Sequence, residues 1–190
     1  MILTLLTVTS LTTAMQAQVT FGANAGINYT NLTGDNADGS DAKLGFYAGL
    51  HANIGLAKNL KLIPALRVST EGAQADLGGT TAKLNMMYIN IPVMFNYSLK
   101  NRIFFEAGPQ VGVLASAKLK IDSDSEDAKD SFESLNYGIA LGGGYMITKN
   151  FGANVRYNLG LANINKDTEL KGGVSGFQVG VLYNLGSKKK

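Results

Sequence analysis

From Val19 to Thr30 the chain alternates apolar and polar residues without a break. Val19, Phe21, Ala23, Ala25, Ile27 and Tyr29 fall on one side of an extended segment. Thr20, Gly22, Asn24, Gly26, Asn28 and Thr30 fall on the other, because side chains of a strand alternate with period two. The same script returns over residues 43–54, 60–71, 81–97, 102–120, 135–145, 151–160 and 176–185. In the third run Leu60, Leu62, Leu66 and Val68 oppose Lys61, Arg67, Ser69 and Glu71. In the fifth, Ile103, Phe105, Ala107, Val111, Val113 and Ala115 oppose Glu106, Gly108, Gln110, Gly112 and Ser116. Eight such strands, each long enough for a tilted bilayer crossing, predict a membrane β-barrel.

The connections between runs take turns in length. Short ones lie at 55–59, 98–101 and 146–150, and long ones at 31–42, 72–80, 121–134 and 163–173. Up-and-down outer-membrane barrels have this asymmetry, with tight periplasmic turns and longer external loops. Charge divides the same way: of the 14 acids, only Glu71 and Glu106 fall inside the expected strands. The long loops carry the rest, including Asp35, Asp38 and Asp41 and the run Asp122, Asp124, Glu126, Asp127, Asp130 and Glu133, whereas the short turns carry Lys58, Lys100, Arg102 and Lys149.

Period-two alternation does not say which face looks inward. A soluble, lipocalin-like carrier would turn its apolar face in; a membrane barrel turns it out. Three features favour the membrane. The polar face is built mostly from Gly, Asn, Gln and Ser, which fit the narrow lumen of an eight-stranded barrel. That face also holds Arg67, Glu106 and Arg156, whereas Arg or Lys on the lipid face near the midplane costs about 2–4 kcal/mol. Phe21, Phe95, Tyr97, Phe105, Tyr145, Phe151 and Tyr183 gather toward the short-turn end, where an interfacial girdle belongs. Pro64, Pro92 and Pro109 run against the pattern, since proline cannot donate to a ladder, and bulges near the rim are the expected accommodation.

Composition narrows the reading further. The 190 residues make one domain and contain no Cys, so a disulfide framework, a thiolate metal site and a lipid-attachment cysteine are excluded. No apolar stretch is long enough for a spanning helix. The formal charge of +3 is carried by Lys188, Lys189 and Lys190, which leaves a neutral body and no nucleic-acid footprint. Residues 2–11 suit the apolar region of an export signal, with Ala17 before a cut at Gln18. The expected organisation is a signal over 1–17, an all-β, eight-stranded antiparallel up-and-down transmembrane barrel over 18–185, and a basic tail over 186–190.

Four segments carry a family resemblance: residues 88–93 (Tyr-Ile-Asn-Ile-Pro-Val), 105–112 (Phe-Glu-Ala-Gly-Pro-Gln-Val-Gly), 138–145, and 156–161 (Arg-Tyr-Asn-Leu-Gly-Leu). In this order they resemble the outer-membrane β-barrels, often labelled PorT-like, of Bacteroidetes-type bacteria. The resemblance implies an OmpA- or OmpX-type barrel without known activity, inserted by the barrel-assembly machinery. Such barrels commonly end on an aromatic residue. Here the last strand ends at Leu185, with Tyr183 two residues back.

Little catalytic chemistry is in view. His51 is the single histidine, it falls toward the short-turn end, and no nucleophile clusters with it in sequence; a structural lumen residue is the favoured reading. The segment 35–41 misses Ca²⁺-loop spacing, because Gly34 stands at the first ligand position when Gly39 is the turn glycine. The run at 122–127 has carboxylates without such a glycine, which favours a solvated, mobile loop. Gly142-Gly143-Gly144 lacks the following helix of a phosphate cradle. No enzyme activity, metal or cofactor is expected. Arg67, Glu106 and Arg156 are expected to pair inside and plug the lumen. The expected function is an integral outer-membrane barrel with a structural or surface-interaction role, in contact with outer-membrane lipids and an unidentified extracellular or periplasmic protein. The alternatives are a small channel or part of a secretion or transport assembly, and the soluble carrier.

Overall fold

The computed structural model describes residues 19–34, 40–76, 80–100, 102–121, 124–164 and 172–186. The expected export signal over 1–17, together with Asp35, Asp38, Asp122 and residues 187–190 of the tail, lies outside the described residues. In chain order the elements are β1 (Val19–Gly34), β2 (Asp41–Ala57), β3 (Leu60–Asp76), β4 (Thr81–Leu99), β5 (Ile103–Ile121), β6 (Asp124–Asp127), one 3-10 turn (Lys129–Ser131), β7 (Leu135–Met146), β8 (Phe151–Gly160) and β9 (Gly172–Asn184).

Every sheet pairing is antiparallel, and the strands other than β6 close into a ring. β1 lies between β2 and β9, β4 pairs with β5, and β5 continues through β7 and β8 back to β9. The closing seam runs from Gly22↔Asn184 to Gly34↔Gly172. The ring therefore has no free edge, which is the condition for a sheet to sit in hydrocarbon, where an unpaired backbone group finds no water. This is the eight-stranded up-and-down barrel that the alternation predicts.

Side-chain exposure settles the direction of the faces. Leu50 is 67% exposed, Phe46 64% and Leu141 63%, whereas Asn24, Asn28, Arg67, Asn90, Glu106 and Arg156 are buried. The apolar face points out, which overturns the lipocalin-like alternative. All seven aromatics of the expected girdle are on the outer face. A second girdle was not expected from sequence: Tyr29, Phe46, Tyr137, Tyr157 and Phe177 are exposed toward the long-loop end, and the Tyr157 and Phe177 rings lie 4.9 Å apart. From Phe21 to Tyr29 the strand covers about 27 Å, or roughly 20 Å along the membrane normal at the usual tilt. That height suits the apolar band between two headgroup layers.

Four features depart from the sequence reading. First, β1 to β5 are 16 to 19 residues long, beyond the ~9–11 that a crossing needs. The tight turns fix one end, so the surplus stands above the bilayer on the long-loop side, and the long loops are shorter than expected. Second, part of the acidic loop is not a free loop: Asp124–Asp127 forms β6, which pairs with β5 from Lys118↔Asp127 to Ile121↔Asp124. β7 leaves β5 at Val113, so β6 covers the backbone edge that β7 vacates, and Lys118 faces Asp127 as an opposite-charge cross-strand pair.

Third, a bulge reverses the alternation of β5. Tyr88 pairs with Leu114 but Met87 pairs with Ser116, which leaves Ala115 as the inserted residue. Beyond it Ala117 points inward, fully buried, and Ser116 sits beside the outward Met87, against the expected parity. Fourth, the prolines need no bulge. The β2–β3 register passes from Ile54↔Leu62 to His51↔Ala65 around Pro64, the β3–β4 register from Pro64↔Val93 to Arg67↔Asn90 around Pro92, and the β4–β5 register from Pro92↔Gln110 to Phe95↔Ala107 around Pro109. In all three, pairing lapses for two positions and resumes in step. Pro109 keeps its pairing with Ile139 of β7, so its missing donor falls in the lapse facing β4. A missing N–H opens the ladder without shifting it.

The lumen is narrow enough that backbone approach matters. Tyr47 on β2 reaches across β1 to β9: a Cβ on Gly26 would come within 2.8 Å of its ring, and one on Gly180 would collide with its hydroxyl. Glycine at both positions is what lets a full phenol ring lie inside an eight-stranded wall.

Val181 pairs with Ala25, midway between the girdles and facing out. Val181→Arg is expected to destabilise the barrel by about 2–4 kcal/mol, read by urea unfolding in lipid vesicles. A loss under 0.5 kcal/mol, the ordinary cost of a surface change, would contradict the lipid-facing assignment.

Candidate functional site

The inward face is stacked in three levels. Nearest the short turns, Asn24 Nδ2 lies 3.0 Å from His51 Nδ1, and His51 Nε2 lies 2.9 Å from Asn184 Oδ1. One neutral tautomer with its proton on Nε2 satisfies both contacts. Asn53 Nδ2 donates to the same Asn184 oxygen at 2.9 Å. His51 is thus an inward residue held between two asparagines.

The middle level holds the three charges singled out from sequence. Arg156 Nη2 meets Glu106 Oε1 at 2.7 Å and Arg156 Nε meets it at 3.1 Å, and Asn154 Nδ2 donates to that oxygen at 3.1 Å. This is the one ion pair among the described residues. Arg67 does not join it, against the expectation of a three-residue network. Its guanidinium lies over the Tyr47 ring, 5.1 Å from the centroid, a cation–π contact. The reason is positional. Arg67 on β3 and Arg156 on β8 stand four strands apart in the ring, on opposite walls, and a single carboxylate from β5 reaches only one of them. The three charges, with Asn24, His51 and Lys61, line a cavity of about 50 Å³.

The upper level was missed in sequence. Glu71 Oε1 accepts from Ser69 Oγ at 2.6 Å and from Asn90 Nδ2 at 3.0 Å, and Asn90 Nδ2 also donates to Ser69 Oγ at 2.8 Å. The signal was present: Ser69 and Glu71 share the parity of Arg67 on one strand. Above this the lumen turns apolar. Met86, Tyr88, Leu114, Ala117, Ile164 and Val174 form a buried cluster, with Leu32, Leu84 and Phe132 packed against it. Ile164 and Phe132 come from the long connections, which are tied by Glu133 N–H donating to Ile164 O at 2.7 Å. The lumen, expected from sequence to be lined by polar side chains throughout, is therefore polar only below this cluster. An external recess of about 340 Å³, lined by Leu32, Ala73, Leu84 and Phe132 among others, lies beyond the cluster.

Outside, Asp124, Glu126, Asp127, Asp130 and Glu133 are all exposed, on β6, the 3-10 turn and the residues leading to β7. Asp127 Oδ1 accepts from Lys129 N–H at 2.9 Å, which stabilises the turn. Among the described residues no group of three His, Cys, Asp or Glu is placed to hold a metal ion.

Removing Glu106 would leave Arg156 buried without its partner. Glu106→Ala is expected to cost about 3–5 kcal/mol of stability, and the double change with Arg156→Met to recover much of it. Equilibrium unfolding in vesicles reads both; additive losses would mean that the two groups do not interact.

Comparison with known proteins agrees with this geometry. Residues 14–166 match the family described as "Outer membrane protein beta-barrel domain". No match was found among curated proteins. Among solved structures, the chain is similar to Neisserial surface protein A at 15% identity, with 87% of this chain and 97% of that one covered and a TM-score of 0.59. It is also similar to Ail, the attachment invasion locus protein of Yersinia pestis, in complex with the heparin analogue sucrose octasulfate, at 14% identity. There, 88% of this chain and 99% of that one are covered, with a TM-score of 0.52. At these identities the likeness is one of fold. Family match, closed ring and outward apolar belt together make the chain an integral outer-membrane protein, and it belongs to the outer-membrane β-barrel domain family.

Proposed function

We propose that this protein is a non-conducting, non-enzymatic surface barrel that supports the outer membrane and presents an acidic edge to partners outside the cell. The observation that carries the reading is the apolar cluster across the long-loop mouth. Met86, Tyr88, Leu114 and Ala117 from the barrel wall close on Ile164 from a long connection and Val174 from β9. Below it, Glu71, Asn90, Glu106 and Arg156 are buried and hydrogen-bonded. An ion crossing would have to part an oily lid and then a bonded polar layer, and both oppose conduction.

The external edge supplies the interaction half of the reading. β6 is a strand with its outer edge unpaired among the described residues, and its exposed carboxylates suit a basic protein or peptide that adds a strand there. The order of the four motif segments supports the finer PorT-like assignment within the family. On the same reading, residues 1–17 direct export and are removed, and the barrel-assembly machinery inserts the remainder.

Planar-bilayer recording tests the closed lumen. The unaltered protein is expected to show no steady conductance, and Ile164→Asp with Phe132→Ala, which breaks the lid but leaves the ring intact, is expected to show openings. Steady conductance in the unaltered protein would favour the small-channel alternative instead.

A further inference from the structure

The lumen holds more buried cationic donors than the chain answers. Arg67 is 6% exposed and Arg156 2%. Arg67 Nε, Arg67 Nη1 and Arg156 Nη1 are buried without a hydrogen-bond partner among the described residues. Both arginines line the same cavity of about 50 Å³. They reach it from opposite walls, so these free N–H groups surround the barrel axis. We propose that Arg67 and Arg156 form a site for one small monovalent anion of chloride size on the barrel axis, open to the short-turn end.

Charge and shape both favour an anion over water alone. Among the described residues Glu106 is the single acid lining the cavity, and it is occupied by Arg156 and Asn154. Glu71 is held higher up by Ser69 and Asn90, and Lys61 adds a further positive charge to the lining. One arginine is therefore left without a counter-charge in a place where a lone buried charge is costly. Tyr47 covers a face of the Arg67 guanidinium. Stacking uses that face and leaves the N–H edge free to donate. A bound water would accept from the edge but neutralise nothing.

Access is one-sided. The apolar cluster shuts the long-loop end. At the short-turn end, Asn53, Lys61 and Asn184 of the cavity also line an open hollow of about 380 Å³, which adds Lys149. A lysine-rimmed mouth leading to two arginines draws anions and repels cations. The site depends on the lumen reading above only for its direction of entry, and it does not require that ions pass through.

The test uses the full barrel refolded in uncharged detergent micelles, its fold checked by heat-modifiable gel migration. Chloride NMR line width is read in mixtures of sodium chloride and sodium gluconate at constant ionic strength, gluconate being too large for the cavity. The unaltered protein is expected to broaden the chloride line beyond the micelle blank, and Lys83→Gln, at the outer rim, to behave alike. Arg67→Met, which removes two of the three donors, is expected to weaken the effect about tenfold or more. Should Arg67→Met fail to fold, Arg67→Gln, which is uncharged and shorter but keeps an amide donor, is expected to show the same loss of charge-dependent broadening. No broadening above the blank would mean hydration only and would overturn the site; so would equal broadening by a folded Arg67 variant. Bilayer conductance, read separately, keeps failure of this site distinct from failure of the closed-lumen reading.

Discussion

Backbone hydrogen bonding is the constraint on which the rest of this structure depends. In hydrocarbon an N–H or C=O without a partner costs several kcal/mol, so the sheet must close, and β1 and β9 meet in continuous register to close it. Closure then dictates the side chains. Once the ring exists, each strand has one face toward lipid and one toward the axis, and period-two alternation follows from solvation on the two sides. The narrow axis in turn demands glycine beside several of the large inward groups, as at Gly26 and Gly180 around Tyr47.

Much of this was legible in the sequence because the pattern is local. The strand count, the outward direction of Leu50 or Leu141 and the inward placement of Arg67, Glu106 and Arg156 each need only parity and the cost of a charge in lipid. The length asymmetry of the loops was equally local. The second aromatic girdle could have been read the same way, since Tyr29, Tyr157 and Phe177 already sit at outward positions.

What escaped depends on relations between distant residues. The bulge at Ala115 shifts parity by one, and nothing in the residues of β5 announces it; it appears only when β5 is laid against β4. The acidic run looked like solvent-exposed loop because its strand partner, Lys118–Ile121 on β5, is set by where β7 happens to leave. Charge alone suggests that Arg67 pairs with Glu106, but the ring order puts Arg67 and Arg156 on opposite walls, and the one carboxylate goes to Arg156. The apolar lid needed Ile164 and Phe132 to arrive from two separate connections, which alternation does not encode. In each case the missing information was which strand stands beside which.

The proline positions give the wall an uneven stitching. Pro64, Pro92 and Pro109 sit on three consecutive strands, and the lapses they leave are adjacent, each resuming in step. The proline rings themselves supply no donor to the strand they face. The panel from β2 to β5 is thus the most compliant part of the cylinder. Lateral pressure from the surrounding lipid would be absorbed there first, by a local widening between strands and without any slip of register.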